Sequence, residues 1–138
     1  MDLDENSSIE DILDYIENFP YNFLYYYSDK PWAQLYIDEA AKKTAKRNSY
    51  SFLLSFSDKP WAQPYIDEAA KGTAKDMPLS FLRNFSDQPW AQSYIDEAAK
   101  GTAKENPKYF LEHLADRFPQ GIDTALFALG DENESERK

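Results

Sequence analysis

The chain has 138 residues, 42% hydrophobic and 16% aromatic, so it is long and apolar enough to form one packed domain. Its 15 Lys and Arg residues oppose 25 Asp and Glu, and the net charge of -10 disfavours nucleic acid as a partner. The absence of cysteine excludes disulfides and thiolate metal sites. Neither a signal peptide nor a membrane span is visible in the pattern, which predicts a cytoplasmic protein without a membrane partner.

The N-terminal part of the chain is strongly acidic. Residues 1–27 contain four Asp and three Glu and no basic residue, a charge of -7. We expect residues 1–7 to be disordered and residues 8–19 to form a helix that caps the domain. The apolar stripe of this helix, which includes Ile12 and Ile16, lies 29 residues before equivalent small residues of the next segment. The helix is therefore predicted to be half of a degenerate repeat.

A period of 29 residues dominates the middle of the chain, where Trp32, Trp61 and Trp90 lie in nearly identical blocks. Each adjacent pair of blocks agrees at 17 of 19 positions, so chance is not a competing explanation. We therefore predict a single domain over residues 8–130. Its repeats are residues 20–48, 49–77 and 78–106, then a degenerate C-terminal repeat at 107–130, and a disordered charged tail follows at 131–138.

Each repeat is predicted to contain a short helix of about 8 residues and a longer one of about 16. In the second block, apolar and small residues recur at helical spacing from Trp61 onwards. Ser57 or Asp58 is the predicted N-cap of this longer helix. Because a proline inside a helix removes a hydrogen bond, Pro64 predicts either a bend or a helix that begins near Gln63.

No strand pattern competes with these helices, so the predicted fold is all-α. We expect an α-solenoid of antiparallel helix pairs, right-handed or of unspecified hand, with atypical capping repeats at both ends. In architecture the chain resembles the HEAT, armadillo and tetratricopeptide repeat proteins over nearly its whole length. Its period is shorter than the tetratricopeptide repeat of about 34 residues, and the signature residues of that family are missing. The resemblance implies a scaffold that binds other proteins.

The predicted core follows the helical stripes, in which Trp is typical of a buried position. Each Trp is expected to pack between consecutive repeats, and Trp61→Ala is expected to cost about 3 to 5 kcal/mol. The predicted core residues are Trp32, Trp61, Trp90, Tyr36, Tyr65, Tyr94, Ile37, Ile66, Ile95, Phe23, Phe52, Phe81 and Phe110.

The common motifs of catalysis and of metal or phosphate binding are missing from the sequence, so we predict no enzyme, no cofactor and no metal site. His113, the only histidine, aligns with variable and mostly polar positions of the other repeats and is predicted to be exposed. The repeated Asp-Glu pairs, such as Asp67-Glu68, are adjacent in a helix and point in different directions. They are predicted to form a solvated helix face rather than an acid-base pair.

The most favoured function is that of a non-enzymatic protein-binding module. Such a module would present side chains at the positions where the repeats differ, which are Tyr25, Tyr26, Leu35, Leu54, Pro64, Arg83 and Ser93. Tyr25 and Tyr26 have no aromatic counterparts in the second and third repeats, which indicates that at least one of them is exposed as an interface anchor. The alternative is that both rings pack on the N-terminal helix around Ile12, Leu13 and Ile16.

Two other classes of function remain open at this stage. One is a self-assembling or structural repeat protein, favoured by the similarity of the repeats and opposed by the acidic ends. The other is an acidic inhibitor or nucleic-acid mimic that binds a basic protein, favoured by the net charge. We expect a monomer whose partner is another protein, with self-association as the alternative.

Overall fold

A computed structural model describes the backbone of residues 2–136 and the side chains of residues 2–130. The fold is all-α, with 81% of residues helical and no strand among those described, which confirms the predicted class. The chain divides into two compact units, residues 1–69 and 70–138, where the sequence predicted one continuous domain.

The described part of the chain contains nine α-helices and four 3₁₀ turns. The α-helices are α1 (Ile9–Asn18), α2 (Pro20–Tyr27), α3 (Ile37–Arg47), α4 (Ser49–Phe56), α5 (Gln63–Asp76), α6 (Pro78–Phe85), α7 (Ile95–Glu105), α8 (Pro107–His113) and α9 (Ile122–Glu136). The 3₁₀ turns are Pro31–Tyr36, Pro60–Ala62, Pro89–Tyr94 and Pro119–Gly121.

The short helices α2, α4, α6 and α8 begin 29 residues apart and have 8, 8, 8 and 7 residues, close to the predicted length. In three of them a proline occupies the first turn, where its missing N–H costs no hydrogen bond. The residue before each helix has φ near -135° and ψ near 60°, which separates it from the preceding helix. Helices this short are marginal in isolation, so packing must stabilise them.

The predicted N-cap of the longer helix is wrong. Ser28, Ser57 and Ser86 are instead the C-caps of the short helices. The following 3₁₀ turns begin after Lys30, Lys59 or Gln88 without a side-chain cap. The longer helix is also divided, because a 3₁₀ turn precedes each α-helical part. The rigid φ of the Pro that opens each turn suits this tight geometry.

A glutamine side chain braces each of these loops. Gln34 Nε2 donates hydrogen bonds of 2.9 Å to the carbonyls of both Ser28 and Lys30. Gln63 and Gln92 make the same pair of bonds, at 3.0 to 3.1 Å, one and two repeats later. Each glutamine therefore ties the carbonyl at the end of a short helix, where helices leave acceptors without partners, to the carbonyl of the residue that precedes the 3₁₀ turn.

Pro64 shifts the start of the second long helix. The 3₁₀ turns of the first and third repeats continue for six residues, to Tyr36 and Tyr94, whereas the second ends at Ala62. Pro64 has no N–H to donate to a 3₁₀ hydrogen bond, and α5 begins at Gln63, with Pro64 in its first turn. The prediction of a helix that starts near Gln63 is confirmed.

In the first unit, α3 packs against α1, α2 and α4. Its buried face is made of small residues, Ala40, Ala41 and Ala45, which allow the neighbouring helices to approach closely. Thr44 is buried among them, and its hydroxyl donates to the Ala40 carbonyl at 2.7 Å, so no polar atom is left unsatisfied there. The largest buried side chains of this unit, Phe23 and Phe52, come from the short helices.

The second unit repeats this arrangement around α7, which packs against α6, α8 and α9. Ala98, Ala99 and Ala103 form its buried face, and Gly101 lies so close to α6 that an added Cβ would be 3.2 Å from Pro78 Cβ. A methyl group at Gly101 would therefore be in tight contact with Pro78 at the start of α6.

The N-terminal segment is held to the first unit at two points. Leu3 is buried although it lies within the seven residues expected to be disordered, and its amide donates to the Tyr27 hydroxyl at 3.1 Å. At the other end of α1, Glu17 Oε2 lies 2.7 Å from Lys43 Nζ, and Glu17 Oε1 lies 3.1 Å from Arg47 Nη2. Hydrogen bonds from these two cations lower the pKa of Glu17 below its usual value.

The last segment departs from the 29-residue register. The turn at Pro119–Gly121 begins 30 residues after the turn at Pro89–Tyr94, and Gly121 takes the place of the buried Ala91. A step of 30 residues, and not the 29 of the earlier repeats, therefore relates the buried start of this segment to that of the third repeat. Helix α9 continues to Glu136, beyond the predicted boundary at residue 130, while residues 137–138 of the predicted tail lie outside the described range.

Candidate protein-binding surface

All seven residues predicted to form the binding surface are exposed. Leu35 and Ser93 lie on 3₁₀ turns and Pro64 lies in α5, while Leu54 is on α4. Arg83 on α6 reaches α8, where its guanidinium lies 5.4 Å from the centre of the Tyr109 ring and donates to the Tyr109 hydroxyl. Of the seven, Tyr25 and Tyr26 are the pair that the structure brings together in a defined concave surface.

This concave surface, which we call the tyrosine groove, runs between the C-terminal ends of α2 and α4 and the loops that follow them. It has a volume of about 490 Å³, within the range of small binding sites. The residues that line it are Leu24, Tyr25, Tyr26, Ser28, Asp29, Lys30, Ser55, Phe56 and Lys59.

The two tyrosines are exposed rather than sealed against the N-terminal helix. The exposed fraction is 63% for Tyr25 and 59% for Tyr26. Tyr27, and not Tyr25 or Tyr26, packs against the N-terminal segment. Its ring contacts Tyr15, Phe23 and Trp32, and its hydroxyl accepts a hydrogen bond from the Leu3 amide. The alternative in which both rings pack around Ile12, Leu13 and Ile16 therefore does not describe the structure.

Neighbouring side chains hold the exposed rings in place. The Tyr25 ring stacks on Tyr21 at 6.2 Å and 20°, and Tyr26 meets the Tyr25 ring edge-on at 5.1 Å. Tyr21 is itself fixed, since its hydroxyl lies 2.7 Å from Ser55 Oγ and its ring contacts Phe56. A ligand that packs on this wall meets rings that are already ordered, which reduces the entropic cost of binding.

The other predicted core residues differ in depth. The four Phe and three Ile of the predicted core are buried, whereas the three Trp and three Tyr are half-buried. The described ring contacts of each Trp are made within its own helix pair: Trp61, for example, lies 6.3 Å from Phe52 and 5.4 Å from Phe56. Packing of each Trp between consecutive repeats stays a prediction.

The acidic residues at the starts of α3 and α7 act as hydrogen-bond acceptors. Asp38 accepts from the Tyr65 hydroxyl, and Asp96 accepts from Gln120 Nε2 at 2.9 Å. Partial burial, followed by the hydrogen bond to Asp38, raises the pKa of Tyr65 to about 12. Both carboxylates are exposed, as the sequence predicted, and they also accept hydrogen bonds from side chains of later elements.

His113 is exposed, as predicted, with its Nε2 3.7 Å from a Glu112 oxygen and its ring 4.6 Å from that of Tyr109. Across residues 2–130 no cluster of three metal-ligating side chains is found. None of the described helices combines the length and the apolar character needed to cross a membrane.

Comparison with known proteins gives no match: no protein-family model, no curated protein and no solved structure is similar to the chain. The function therefore has to be inferred from the chain's own surface.

The sequence analysis did not single out the two basic residues of the tyrosine groove, Lys30 and Lys59, or Tyr21, which supports the groove wall through the Tyr25 ring. Lys30 and Lys59 occupy the same place in the first two repeats, and Gln88 occupies it in the third. The change from lysine to glutamine could have marked this position as one where the repeats differ, because the other residues of the Ser-Asp-Lys-Pro segment are identical in all three repeats. Tyr21 gave a weaker signal, because its hydrogen bond to Ser55 depends on the placement of α2 beside α4.

Proposed function

We propose that the chain is a non-enzymatic protein-binding module, built as a short α-solenoid, that holds its partner in the tyrosine groove. The observation that carries this proposal is the pair of exposed but braced rings, Tyr25 and Tyr26, beside a concave surface. Exposed tyrosines offer a large apolar contact area and a hydroxyl, and they are enriched among the anchors of protein interfaces.

Recurring local geometry supports the solenoid arrangement. Each of the first three repeats has a short helix, a proline-led 3₁₀ turn, a glutamine brace and an α-helix, in the same order. The buried alanines of α3 and α7 also occupy equivalent positions, as Ala40 and Ala98 show. Units that share their local structure and their buried face can stack with equivalent contacts, which is the basis of a solenoid.

Duplication of one repeat tests this architecture. A second copy of residues 49–77 inserted after Met77 should be accommodated, because stacked repeats contact mainly their neighbours. The expected result is a monomer with more helical signal in far-UV circular dichroism, in proportion to its length, and a melting temperature at or above that of the parent. The control carries the same 29 residues in scrambled order at the same place. A duplicated chain that unfolds as readily as the scrambled one would contradict the solenoid.

The binding function is tested with a library of random short peptides displayed on phage. The library is selected on the immobilised parent protein while the Tyr25→Ser, Tyr26→Ser double variant competes in solution. This selection should enrich peptides whose binding requires the two tyrosine rings. Because truncating an interface anchor costs about 2 kcal/mol or more, the enriched peptides should bind the double variant at least about tenfold more weakly. Leu126→Ser, which removes an exposed apolar side chain in the other unit, should leave their affinity unchanged.

Selection that enriches no peptide family, or peptides that bind the parent and the double variant equally well, would show that the tyrosine groove is not a protein-binding site.

A further inference from the structure

Two lysines border the tyrosine groove, and neither forms an ion pair with a described residue. Lys30 follows α2 and Lys59 follows α4, at equivalent places in consecutive repeats, and both side chains are exposed. Lys43 of the same unit differs in this respect, because its half-buried side chain pairs with Glu17 and Glu39. The two groove lysines are therefore free to bind an anionic group from another molecule.

The backbone that carries the two lysines is fixed. Each precedes a proline and has the same extended conformation, with φ of -84° and ψ of 134° or 135°. The carbonyl oxygens of both lysines accept hydrogen bonds from the glutamine braces, Gln34 and Gln63. The Cα atoms of the two lysines are thus held at fixed places along the groove.

The charge at the groove is opposite in sign to that of the whole chain. Its lining includes Lys30, Lys59 and one carboxylate, Asp29, which gives a local charge of +1 against a net charge of -10. Asp58 precedes Lys59 in sequence but is not part of the lining. The two lysines of this groove therefore attract an acidic segment, although the net charge of the whole chain is negative.

We infer that the tyrosine groove binds a protein segment in which acidic side chains flank an aromatic one, a partner that rests on the protein-binding function proposed above. The ring of such a segment packs on the wall formed by Tyr25 and Tyr26, and its carboxylates pair with Lys30 and Lys59. The volume of about 490 Å³ suits the side chains of a few residues and not a folded domain, so the segment binds in an extended form.

A set of labelled peptides tests this inference by fluorescence anisotropy. The probe is Gly-Ser-Glu-Phe-Glu-Gly-Ser, and its three comparison peptides carry Gln in place of both Glu, Lys in place of both Glu, or Gly in place of Phe. The parent protein is expected to bind the Glu peptide most tightly, the Gln peptide less tightly and the Lys peptide most weakly of these three. The peptide with Gly in place of Phe is expected not to bind. Raising the salt concentration from about 0.05 M to about 0.5 M should remove most of the advantage of Glu over Gln.

Substitutions of the two groove lysines, compared with substitutions of two lysines elsewhere, test whether Lys30 and Lys59 cause the preference for the Glu peptide. Lys30→Met with Lys59→Met should weaken binding of the Glu peptide by about threefold to tenfold and leave the Gln peptide unchanged, because exposed ion pairs contribute modestly. Lys42→Met with Lys46→Met removes the same charge from exposed positions on α3 outside the groove and should have no effect.

The outcomes separate this inference from the proposed function. If the Gln or Lys peptide binds as tightly as the Glu peptide, and this binding requires Tyr25 and Tyr26, the groove binds protein segments but the acidic partner is wrong. If none of the four peptides binds at concentrations up to about 1 mM, the inference is overturned, and the peptide selection then decides whether the groove binds protein segments at all.

Discussion

Phe52→Ala is expected to lower the free energy of unfolding by about 3 to 5 kcal/mol, the usual cost of removing a large aromatic side chain from a core. Phe52 is fully buried, with an exposed fraction of 0%. Its ring contacts Phe56 at 5.8 Å and Trp61 at 6.3 Å, so its removal leaves a cavity among aromatic side chains. Urea unfolding followed by circular dichroism measures the change.

The matched comparison is Trp61→Ala, which truncates the larger ring of the same cluster. Because Trp61 is half-buried, we expect its replacement to cost less than that of Phe52, and therefore less than the loss of about 3 to 5 kcal/mol expected from the sequence. A larger loss for Trp61→Ala than for Phe52→Ala would show that the tryptophan makes further buried contacts, and it would revive the expectation that it packs between repeats.

Gly121→Ala is expected to destabilise the protein by about 1 to 3 kcal/mol through overpacking. A Cβ at this position would lie 2.4 Å from the ζ carbon of the Phe110 ring and 3.0 Å from the Ala99 carbonyl oxygen. Phe110 is fully buried, so its ring cannot move aside without disturbing the core of the second unit. Thermal unfolding of the variant should show a clearly lower melting temperature.

Gly130→Ala is the control for this change, because it adds the same methyl group to a glycine of α9 where a Cβ would have no neighbouring atom within 4 Å. Alanine is a better helix former than glycine, so this variant should be unchanged or more stable by up to about 1 kcal/mol. Equal effects at both glycines would contradict the close packing of Gly121 against Phe110.

The short helices could be predicted from the sequence because several local signals agree. In α6, for example, Pro78 marks the first turn, and Phe81, Leu82 and Phe85 lie on one face. Those three side chains are buried, as the spacing indicates. The repeats strengthen this prediction, since each copy of the pattern is an independent instance of the same local structure.

The loops were predicted less well because their conformation depends on competing interactions of similar strength. Ser57 and Asp58 have the composition of an N-cap, yet Ser57 ends α4 and the loop is stabilised by the side chain of Gln63. The one-residue shift at Gly121 was also hidden, because apolar residues of α9 match the helical period in either register. Such choices are decided by packing and not by local sequence.

The candidate site could be predicted in part. The lack of aromatic counterparts in the other repeats indicated that at least one of Tyr25 and Tyr26 is exposed, and the structure shows that both are. Their role beside a groove could not be predicted, because the groove requires α4 and the loop with Lys59 to lie next to α2. The third repeat has Gln88 where the first two repeats have lysine, a difference that is visible in the sequence. Its relation to a binding surface could be recognised only once Lys30 and Lys59 were seen to line the groove.

The central claim, that Tyr25 and Tyr26 form a binding surface, is tested most directly by measuring stability and peptide affinity on the same variants. We expect Tyr25→Ser with Tyr26→Ser to keep the melting temperature within about 2 °C of the parent and to lose affinity for the selected peptides. Tyr27→Ser should lower the melting temperature by about 4 °C or more, because Tyr27 contacts Trp32 and binds the Leu3 amide. A double variant that melts several degrees lower and still binds the peptides would show that these tyrosines stabilise the fold and are not the interface.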